Sequence, residues 1–424
     1  MKSLSCKHQL PVIALYTPDL EQDMLERMVL IVPGTYVIYK GTKHPMIQNA
    51  LSLEHKDIKS IKEIQNLDKL ENLQELNLSN NNIATIEGLE NLVNLRVLEV
   101  GSNQLATIGG LESLGKLHRL DLHGNQITRV ENLDQQHDLK ELDLHSNHLT
   151  HISGLEGQES LVKLDLHANR IEEIKGLDSL TNLASLDLGG NQIEVMKGLD
   201  ALTNLQVLHL YDNHVHHVAG LDNLASLREL NLSNNALTSL DGIETATGLR
   251  ILDVAFNKIE RIDGLQDLEN LRRLRISMNP IDTELIEKLG GLDHDGYVID
   301  TKAVIDYCKD LATMMAQAMS IDLDYNDIRK RAYGLSLGST SYDDLVWLLA
   351  EASLCLKEAC ITRLTGGVAS IKCNPARINW RIPKNMIEEE AKKIVGFKPK
   401  LNELHWFLAE RQYILDKLKE HGDS

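Results

Sequence analysis

The chain has 424 residues, a length that favours two or three structural units over one globular core. Lys and Arg total 44 against 62 acidic residues, so the net charge at pH 7 is −18, which disfavours nucleic acid and membrane surfaces as partners. Five scattered cysteines, no secretion-type leader and no apolar run of about 18 residues predict a reduced, soluble, cytoplasmic protein.

Residues 1–50 differ in pattern from the rest of the chain and predict a small α/β cap. Two strands are expected at residues 11–16 and 35–39, with a helix at 19–32 between them. So short a segment rarely builds a core of its own. We therefore expect it to seal the start of the next region.

Residues 51–299 are interpreted as one solenoid, because a 22-residue unit recurs in phase through ten copies, from Leu73 to the copy that starts at Leu271. An atypical eleventh unit, with Lys56 in place of the repeated Asn, precedes them. Alternating leucines predict a short strand with one buried side, and apolar residues at every third later position predict extended or 3-10 turns. Because one unit cannot bury its own apolar edge, the units must stack into a curved parallel sheet of about eleven coils.

Two polar or small residues recur at fixed positions of the unit. The repeated Asn is expected to bury its amide and to hydrogen-bond the backbone of neighbouring coils. A Gly before a buried Leu or Ile, as at Gly110, is expected to adopt a positive φ. Pro280, which lacks a backbone donor, follows the last Asn and predicts the end of the ladder.

The phrases NLSNNNIATIEGLENLVNL and DLHANRIEEIKGLDSLTNL resemble the 22-residue leucine-rich repeats of the type 1 protein phosphatase regulatory subunit family, and bacterial internalins have a similar unit. The resemblance covers about 235 of the 424 residues and neither end. It implies an intracellular, non-catalytic regulator that holds a phosphatase catalytic subunit. Internalins are exported by signal peptides, which favours the intracellular comparison for this chain.

The side chains that flank the strand leucines are expected to form a concave, partner-binding face. Its central column carries acids on five successive strands, from Glu99 to Asp187. Like charges on neighbouring strands repel each other, so adjacent histidines or a basic ligand should compensate. A partner protein with a basic or polar surface is predicted, although consensus carboxylates screened by water give the same pattern. The candidate binding residues are Glu99, Arg119, Asp121, His123, Asp143, His145, Asp165, His167, Asp187, Val207, His209, Tyr211, Ile251, Asp253 and Phe256.

Apolar residues and an Asp-x-His motif on this face need separate interpretations. Val207, Tyr211, Ile251 and Phe256 predict apolar anchor points for a partner, unless a terminal domain covers them. The motif occurs in three successive units and its side chains suit zinc. An open surface without a second shell or pocket is the favoured interpretation, so we expect no metal and no cofactor.

Residues 300–424 predict an α-helical domain, with helices over 303–319, from an N-cap at Ser341 to about Leu364, and in the last 40 or so residues. Cys308-Lys309-Asp310 resembles the Cys-x-Asp of bacterial effector ubiquitin ligases, which also follow a leucine-rich-repeat domain. This alternative predicts an enzyme whose repeats select the substrate and whose nucleophile is Cys308. A plain core cysteine is the favoured interpretation, and with it a non-catalytic scaffold.

Overall fold

The computed structural model describes residues 35–316, 319–321, 330–331, 335, 341–357, 360–365, 368–373, 387, 390–392, 394, 408 and 411–416. The strand expected at 11–16 and the helix expected at 19–32 lie outside these residues. The chain divides into two compact units, residues 1–236 and 237–424. In the part of the chain that is described, no helix combines the length and the apolar character needed to cross a bilayer.

The described chain begins with an antiparallel hairpin of two strands, β1 (Tyr36–Tyr39) and β2 (Thr42–Pro45). Lys40 and Gly41 connect the strands, and both have positive φ, as a two-residue turn between right-twisted strands requires. Ile38 exchanges two backbone hydrogen bonds with Gln65, at 3.0 and 2.9 Å. The expected strand at 35–39 is thus confirmed, and it pairs with the first repeat coil.

Eleven three-residue strands form one parallel sheet, in chain order. They are β3 (Ala50–Ser52), β4 (Glu75–Asn77), β5 (Val97–Glu99), β6 (Arg119–Asp121), β7 (Glu141–Asp143), β8 (Lys163–Asp165), β9 (Ser185–Asp187), β10 (Val207–His209), β11 (Glu229–Asn231), β12 (Ile251–Asp253) and β13 (Arg273–Arg275). The central leucine of every strand is buried. The predicted leucine-rich-repeat solenoid is confirmed.

The repeated Asn holds successive coils together, as predicted. At Asn147, Oδ1 accepts the N–H of Ile127 at 3.0 Å, and Nδ2 donates to the carbonyls of Leu122 and Leu144 at 3.0 Å each. The same three contacts are made by Asn103, Asn125, Asn169, Asn191 and Asn213, each with its own and the preceding coil. Because a buried polar group without a partner costs about 1–3 kcal/mol, these amides fix the spacing of the coils.

The return segments between strands consist of turns and short 3-10 helices. No α-helix occurs between β3 and β13, a range that is described throughout, and the 3-10 helices lie at Ile61–Glu63, Leu67–Lys69 and Ile243–Thr245. The predicted positive φ is found at the repeated glycines and is 70° at Gly110. A Cβ there would lie 2.1 Å from the carbonyl oxygen of Ile86, so the turn requires glycine.

The outer edge of β13 is covered by the segment directly after it. Helix α1 (Thr283–Lys288) leads to a stretch in which the Val298 N–H donates to the Leu274 carbonyl at 2.8 Å. The ring of Tyr297 packs against the guanidinium groups of Arg273 and Arg275, at 4.4 and 5.8 Å from its centroid. The last strand edge is therefore not open to pairing with another chain.

The C-terminal region contains helices α2 (Thr301–Ala316) and α3 (Tyr342–Lys357). Ser341 caps α3, because its Oγ accepts the N–H of Asp344 at 3.2 Å. Leu345, Val346 and Leu349 of α3 are buried in a cluster with Leu408. The expected helices near residues 303 and 342 are confirmed. Most of the helices expected after residue 380 lie outside the described residues.

The expected continuation of the second helix to Leu364 is wrong. Three strands form an antiparallel sheet here: β14 (Met319–Ile321), β15 (Cys360–Thr365) and β16 (Val368–Cys373), with β16 in the centre. The sequence CITRLTGGVASIKC alternates apolar or β-branched residues with polar ones around Gly-Gly, which favours a hairpin over a helix. The predicted helical domain thus also contains a small sheet.

Candidate protein-binding surface

The strand face comprises three residues per strand: the first residue, the third residue, and the residue two positions after the end of the strand. Parallel pairing without stagger places Glu99 opposite Asp121, and it continues the same column to Asp187 on β9. The Asp ladder (Asp121, Asp143, Asp165 and Asp187) therefore sets acid against acid on neighbouring strands. Such an arrangement is unfavourable unless each carboxylate has a donor.

Each member of the Asp ladder has donors within its own coil. Oδ1 of Asp143 accepts the backbone N–H of His145 at 3.1 Å and lies 2.7 Å from Nδ1 of the same residue. Asp121 with His123 and Asp165 with His167 repeat this pair, with Nδ1 distances of 2.6 and 2.7 Å. Because an ionised carboxylate only accepts, the proton lies on Nδ1 of these rings. The adjacent histidines therefore supply a hydrogen-bond donor to each of these three carboxylates.

The three imidazoles form the His stack (His123, His145 and His167). Their ring centroids are 4.6 and 4.3 Å apart, and adjacent planes differ by 5° and 9°. The ring of His123 leans toward the preceding coil and needs space at Gly101, where a Cβ would lie 2.2 Å from Cε1 of His123. Periodicity alone placed these histidines side by side, but the position of the first ring in the stack depends on that glycine.

His209 ends the run of acids in the central column. Its Nδ1 lies 3.1 Å from Oδ2 of Asp187, and its Nε2 lies 3.2 Å from Oε1 of Glu229. The hydrogen bond to Asp187 raises the pKa of His209 above its usual 6.5, and Glu229 adds to the effect. Burial raises the pKa of Asp187, but the donors at His209 and Gly189 outweigh it and hold that pKa below its usual value.

Tyr211 is half-buried beside this pair. Its ring covers Gly189, where a Cβ would lie 2.3 Å from Cζ, and it is tilted 58° to the ring of His209. Desolvation raises the pKa of Tyr211 to about 12, helped by the charges of Asp187 and Asp165. The phenol therefore stays neutral and can donate a hydrogen bond, as an aromatic anchor for a ligand requires.

The remaining predicted residues of the first unit lie on the same face. Arg119 spans two carboxylates, with Nη2 3.6 Å from Glu99 and Nη1 3.9 Å from Glu141. Val207 is half-buried in the first column, next to Glu229 on β11. This part of the strand face thus combines paired charges with a small apolar area.

The predicted residues of the second unit have different environments. Asp253 is 8% exposed, and its carboxylate accepts the Ala255 N–H at 3.0 Å and pairs with Arg275 at 3.3 Å. These two contacts hold the carboxylate within its own sheet, and its predicted role in partner binding stays a prediction. Ile251 is half-buried, whereas Phe256 is 46% exposed and has φ 56°, an unfavourable value for a bulky residue. Met278, at the equivalent position of the next coil, shares both properties and was missed.

A groove of about 560 Å³ lies at the N-terminal end of the strand face, between the hairpin β1–β2 and strands β3–β5. Pro45 and Ile47 form part of one wall, and Glu75 and Glu99 line it from the sheet. Ile47 is 60% exposed. Sequence reasoning missed this groove because residues 44–47 meet the sheet only through the hairpin.

Cys308 lacks the properties of a nucleophile. It is buried, and its Sγ donates to the carbonyl of Ile262 at 2.9 Å. Desolvation raises the pKa of the Cys308 thiol to about 12, so almost no reactive thiolate is present at neutral pH. The core-cysteine interpretation accounts for these contacts.

Stacked coils, a ladder of buried amides and an open strand face define a leucine-rich-repeat solenoid, a fold typical of protein-interaction scaffolds. Two family models match the repeats. One, described as Leucine Rich repeats (2 copies), matches residues 71–113 and 203–245, and the other, described as Leucine rich repeat, matches residues 137–193. No curated protein sequence matches the chain significantly.

Several solved structures are similar to the chain. The internalin InlF of Listeria monocytogenes is 28% identical over 57% of this chain and 77% of that one, with a TM-score of 0.49. The functional domain of InlJ from the same organism is 26% identical over 55% and 49%, with a TM-score of 0.48. A leucine-rich-repeat protein of Leptospira interrogans is 28% identical over 53% and 65%, with a TM-score of 0.44. Nothing in these comparisons shows a resemblance to phosphatase regulatory subunits.

Proposed function

We propose that this chain is a non-catalytic scaffold that holds a partner protein on the strand face of residues 35–236. The charge of that face carries the proposal. From β4 to β11 it presents two basic side chains, Arg119 and Lys163. Against them stand eight acidic ones, Glu75, Glu99, Asp121, Glu141, Asp143, Asp165, Asp187 and Glu229. Because the acidic side chains outnumber the basic side chains that could neutralise them on this face, a partner with a basic or polar surface fits it best.

Two features of the face supply contacts beyond charge. Tyr211 offers an amphipathic ring with a neutral hydroxyl, the type of side chain that often dominates binding energy. The N-terminal groove suits a Lys or Arg of the partner, whose aliphatic stem would lie on Ile47 and whose charged end would meet Glu75 or Glu99. A partner that reaches both would cover the Asp ladder between them.

The sequence resemblance supplies one specific candidate, the catalytic subunit of a type 1 protein phosphatase, and a cytoplasmic setting belongs to the same proposal. Direct mixing of the two purified proteins, followed by gel filtration, tests that candidate. Co-elution that is lost in Tyr211→Ala would support it. Separate elution would exclude the phosphatase as the partner. The wider proposal would then depend on the next experiment.

Affinity purification with the full chain as bait tests the wider proposal. We compare wild type with Tyr211→Ala and with Val195→Ala, a matched truncation of a 54% exposed side chain in the return segment after β9. Recovery of the same protein with wild type and Val195→Ala, and its loss by about tenfold with Tyr211→Ala, supports the strand face. Equal recovery with all three baits contradicts it. Unchanged melting of both variants confirms that folding is not the cause.

A further inference from the structure

We propose that the His stack and the carboxylates beside it bind one divalent transition-metal ion, of which Zn²⁺ is the representative. Two sets of side chains have the composition of a three-ligand site. One consists of His123, Asp143 and His145, and the other of His145, Asp165 and His167. In each set, one ligand atom per side chain lies within 4.8 Å of the other two.

The donor types select the class of ion. Two imidazole nitrogens with one carboxylate suit zinc and its neighbours in the first transition row, whereas calcium and magnesium prefer shells made of oxygen. Three protein ligands leave further coordination positions open to water or to another molecule. Each ligand side chain is half-buried, so solvent and an ion can reach it. The two aspartates end strands of the sheet, and each histidine lies two residues beyond the end of a strand.

A carboxylate partner of the kind that a metal-binding histidine needs is already present for one imidazole of each set. An imidazole that binds a metal through one nitrogen usually donates the N–H of its other nitrogen to a carboxylate, which fixes the ring and raises its basicity. In the first set, Nδ1 of His123 lies 2.6 Å from Oδ1 of Asp121, which is not a ligand of that set. In the second set, Nδ1 of His145 lies 2.7 Å from Oδ1 of Asp143, which is not a ligand of that set. The sequence interpretation argued against a metal because it showed neither a second shell nor a pocket, and these carboxylates supply the second shell.

Binding requires a local movement of the rings. Neighbouring ligands of a tetrahedral zinc lie about 3.4 Å apart, since each Zn–N bond is about 2.1 Å. The stacked rings of His145 and His167 are 4.3 Å apart and nearly parallel, so their lone pairs do not yet converge. Rotation of the half-exposed rings about their side-chain bonds would bring the donors together without moving the strands. In the first set it would break the hydrogen bond between His145 and Asp143, and in the second the one between His167 and Asp165. The metal-bound form should therefore lack the parallel stack.

His145 belongs to both sets, and this fixes the number of ions that a chain can bind. An ion held by one set uses the imidazole that the other needs, so one ion binds per chain. Among the described residues, no further set of this kind occurs. Metal binding is measured on the chain alone and does not depend on the proposed partner. The metal site and the proposed function can therefore fail independently.

Titration calorimetry of the full chain with ZnCl₂ tests the inference through a series of alanine variants. Wild type should bind one ion, and His145→Ala should abolish binding because it removes a ligand from both sets. His123→Ala and His167→Ala each leave one set intact, so each should weaken binding only about twofold. The double variant His123→Ala/His167→Ala should again abolish binding. His148→Ala, an exposed histidine of a return segment, serves as the matched control.

Several results would overturn the inference. Binding weaker than about 100 μM in wild type, or unchanged binding in His145→Ala, would indicate only scattered surface histidines. Loss of binding in either outer single variant would exclude two sets that share one ligand. Imidazole NMR resonances of His145 that stay unchanged on saturation with Zn²⁺ would exclude opening of the stack. Equal melting temperatures keep misfolding out of the comparison.

Discussion

Nδ1 of His209 lies 3.1 Å from Oδ2 of Asp187, across the two strands where the column of acids ends. Four preceding strand pairs set one acid opposite another in this column, and β9 with β10 instead sets an acid opposite a base. The protonated imidazole donates from both ring nitrogens, to Asp187 and to Glu229, so the charged form stabilises the sheet more than the neutral form does. Its contribution should therefore depend on pH.

Replacement of His209 by Gln should destabilise the chain more at pH 6 than at pH 9. The folded pKa of His209 is raised above 6.5, so its contribution is complete below that value and is lost as pH rises through the folded pKa. Asp187, whose pKa is lowered, stays ionised at both pH values. We expect a loss of about 0.5–1 kcal/mol at pH 6, since the pair is partly exposed.

Urea unfolding of His209→Gln and wild type at both pH values measures this effect. His148→Gln, which changes an exposed histidine in a return segment, should give no such difference. A gap between wild type and His209→Gln that is the same at pH 6 and pH 9 would exclude the charged pair.

Two adjacent glycines provide a sharp test of the turn geometry. Gly110→Ala should lower stability by about 2 kcal/mol or more, because φ is 70° and the new Cβ would lie 2.1 Å from the Ile86 carbonyl oxygen. Gly109→Ala should be neutral or slightly stabilising, since no neighbouring atom lies within 4 Å of its added Cβ. Thermal unfolding of both variants decides the matter. Equal melting temperatures would contradict the tight turn.

Gln136 replaces the leucine of the consensus unit inside the solenoid. It is fully buried; its Nε2 donates to the Leu111 carbonyl at 2.7 Å, whereas its Oε1 has no donor among the described residues. Gln136→Leu should raise stability by about 1 kcal/mol, because it removes a buried acceptor and restores an apolar side chain. Gln135→Leu makes the same change on an exposed neighbour and should have little effect. Destabilisation by Gln136→Leu would show that the amide is fully satisfied.

The sequence predicted the solenoid well because each repeated residue has a local role. Leu120, Asn125 and Gly110 occupy positions whose burial, hydrogen bonds or backbone angle follow from spacing alone. The sheet of β14–β16 was missed although Gly366-Gly367 between two alternating segments signals a hairpin. Apolar residues at helical spacing in α3 favoured an extension of that helix instead.

The strand face was harder to predict than the fold. Alternation placed Asp143 and His145 on one side of a strand, but not the bond between them or the stack with His167. Those contacts depend on the side-chain torsions of each ring, which spacing does not determine. Met278 and the groove at Ile47 were also missed. The exposure of Met278 depends on its backbone angle, and the groove depends on the tertiary contact between the hairpin and the sheet.

Cys308 should resist alkylation in the folded chain. Its thiol is buried and hydrogen-bonded, and its pKa is about 12, so iodoacetamide at pH 8 should leave it unmodified. In denaturant the same residue should react fully. Peptide mass spectrometry assigns the modification among the five cysteines. Rapid labelling of Cys308 in the folded chain would reopen the nucleophile hypothesis.

Hydroxyl-radical footprinting of the chain, with and without the partner recovered by affinity purification, tests the central claim most directly. Binding on the strand face should reduce the oxidation of Tyr211 and the His stack. Oxidation of His148 in a return segment should stay constant. Protection of His148 with no change at Tyr211 or the His stack would show that the partner binds elsewhere, and would contradict the account.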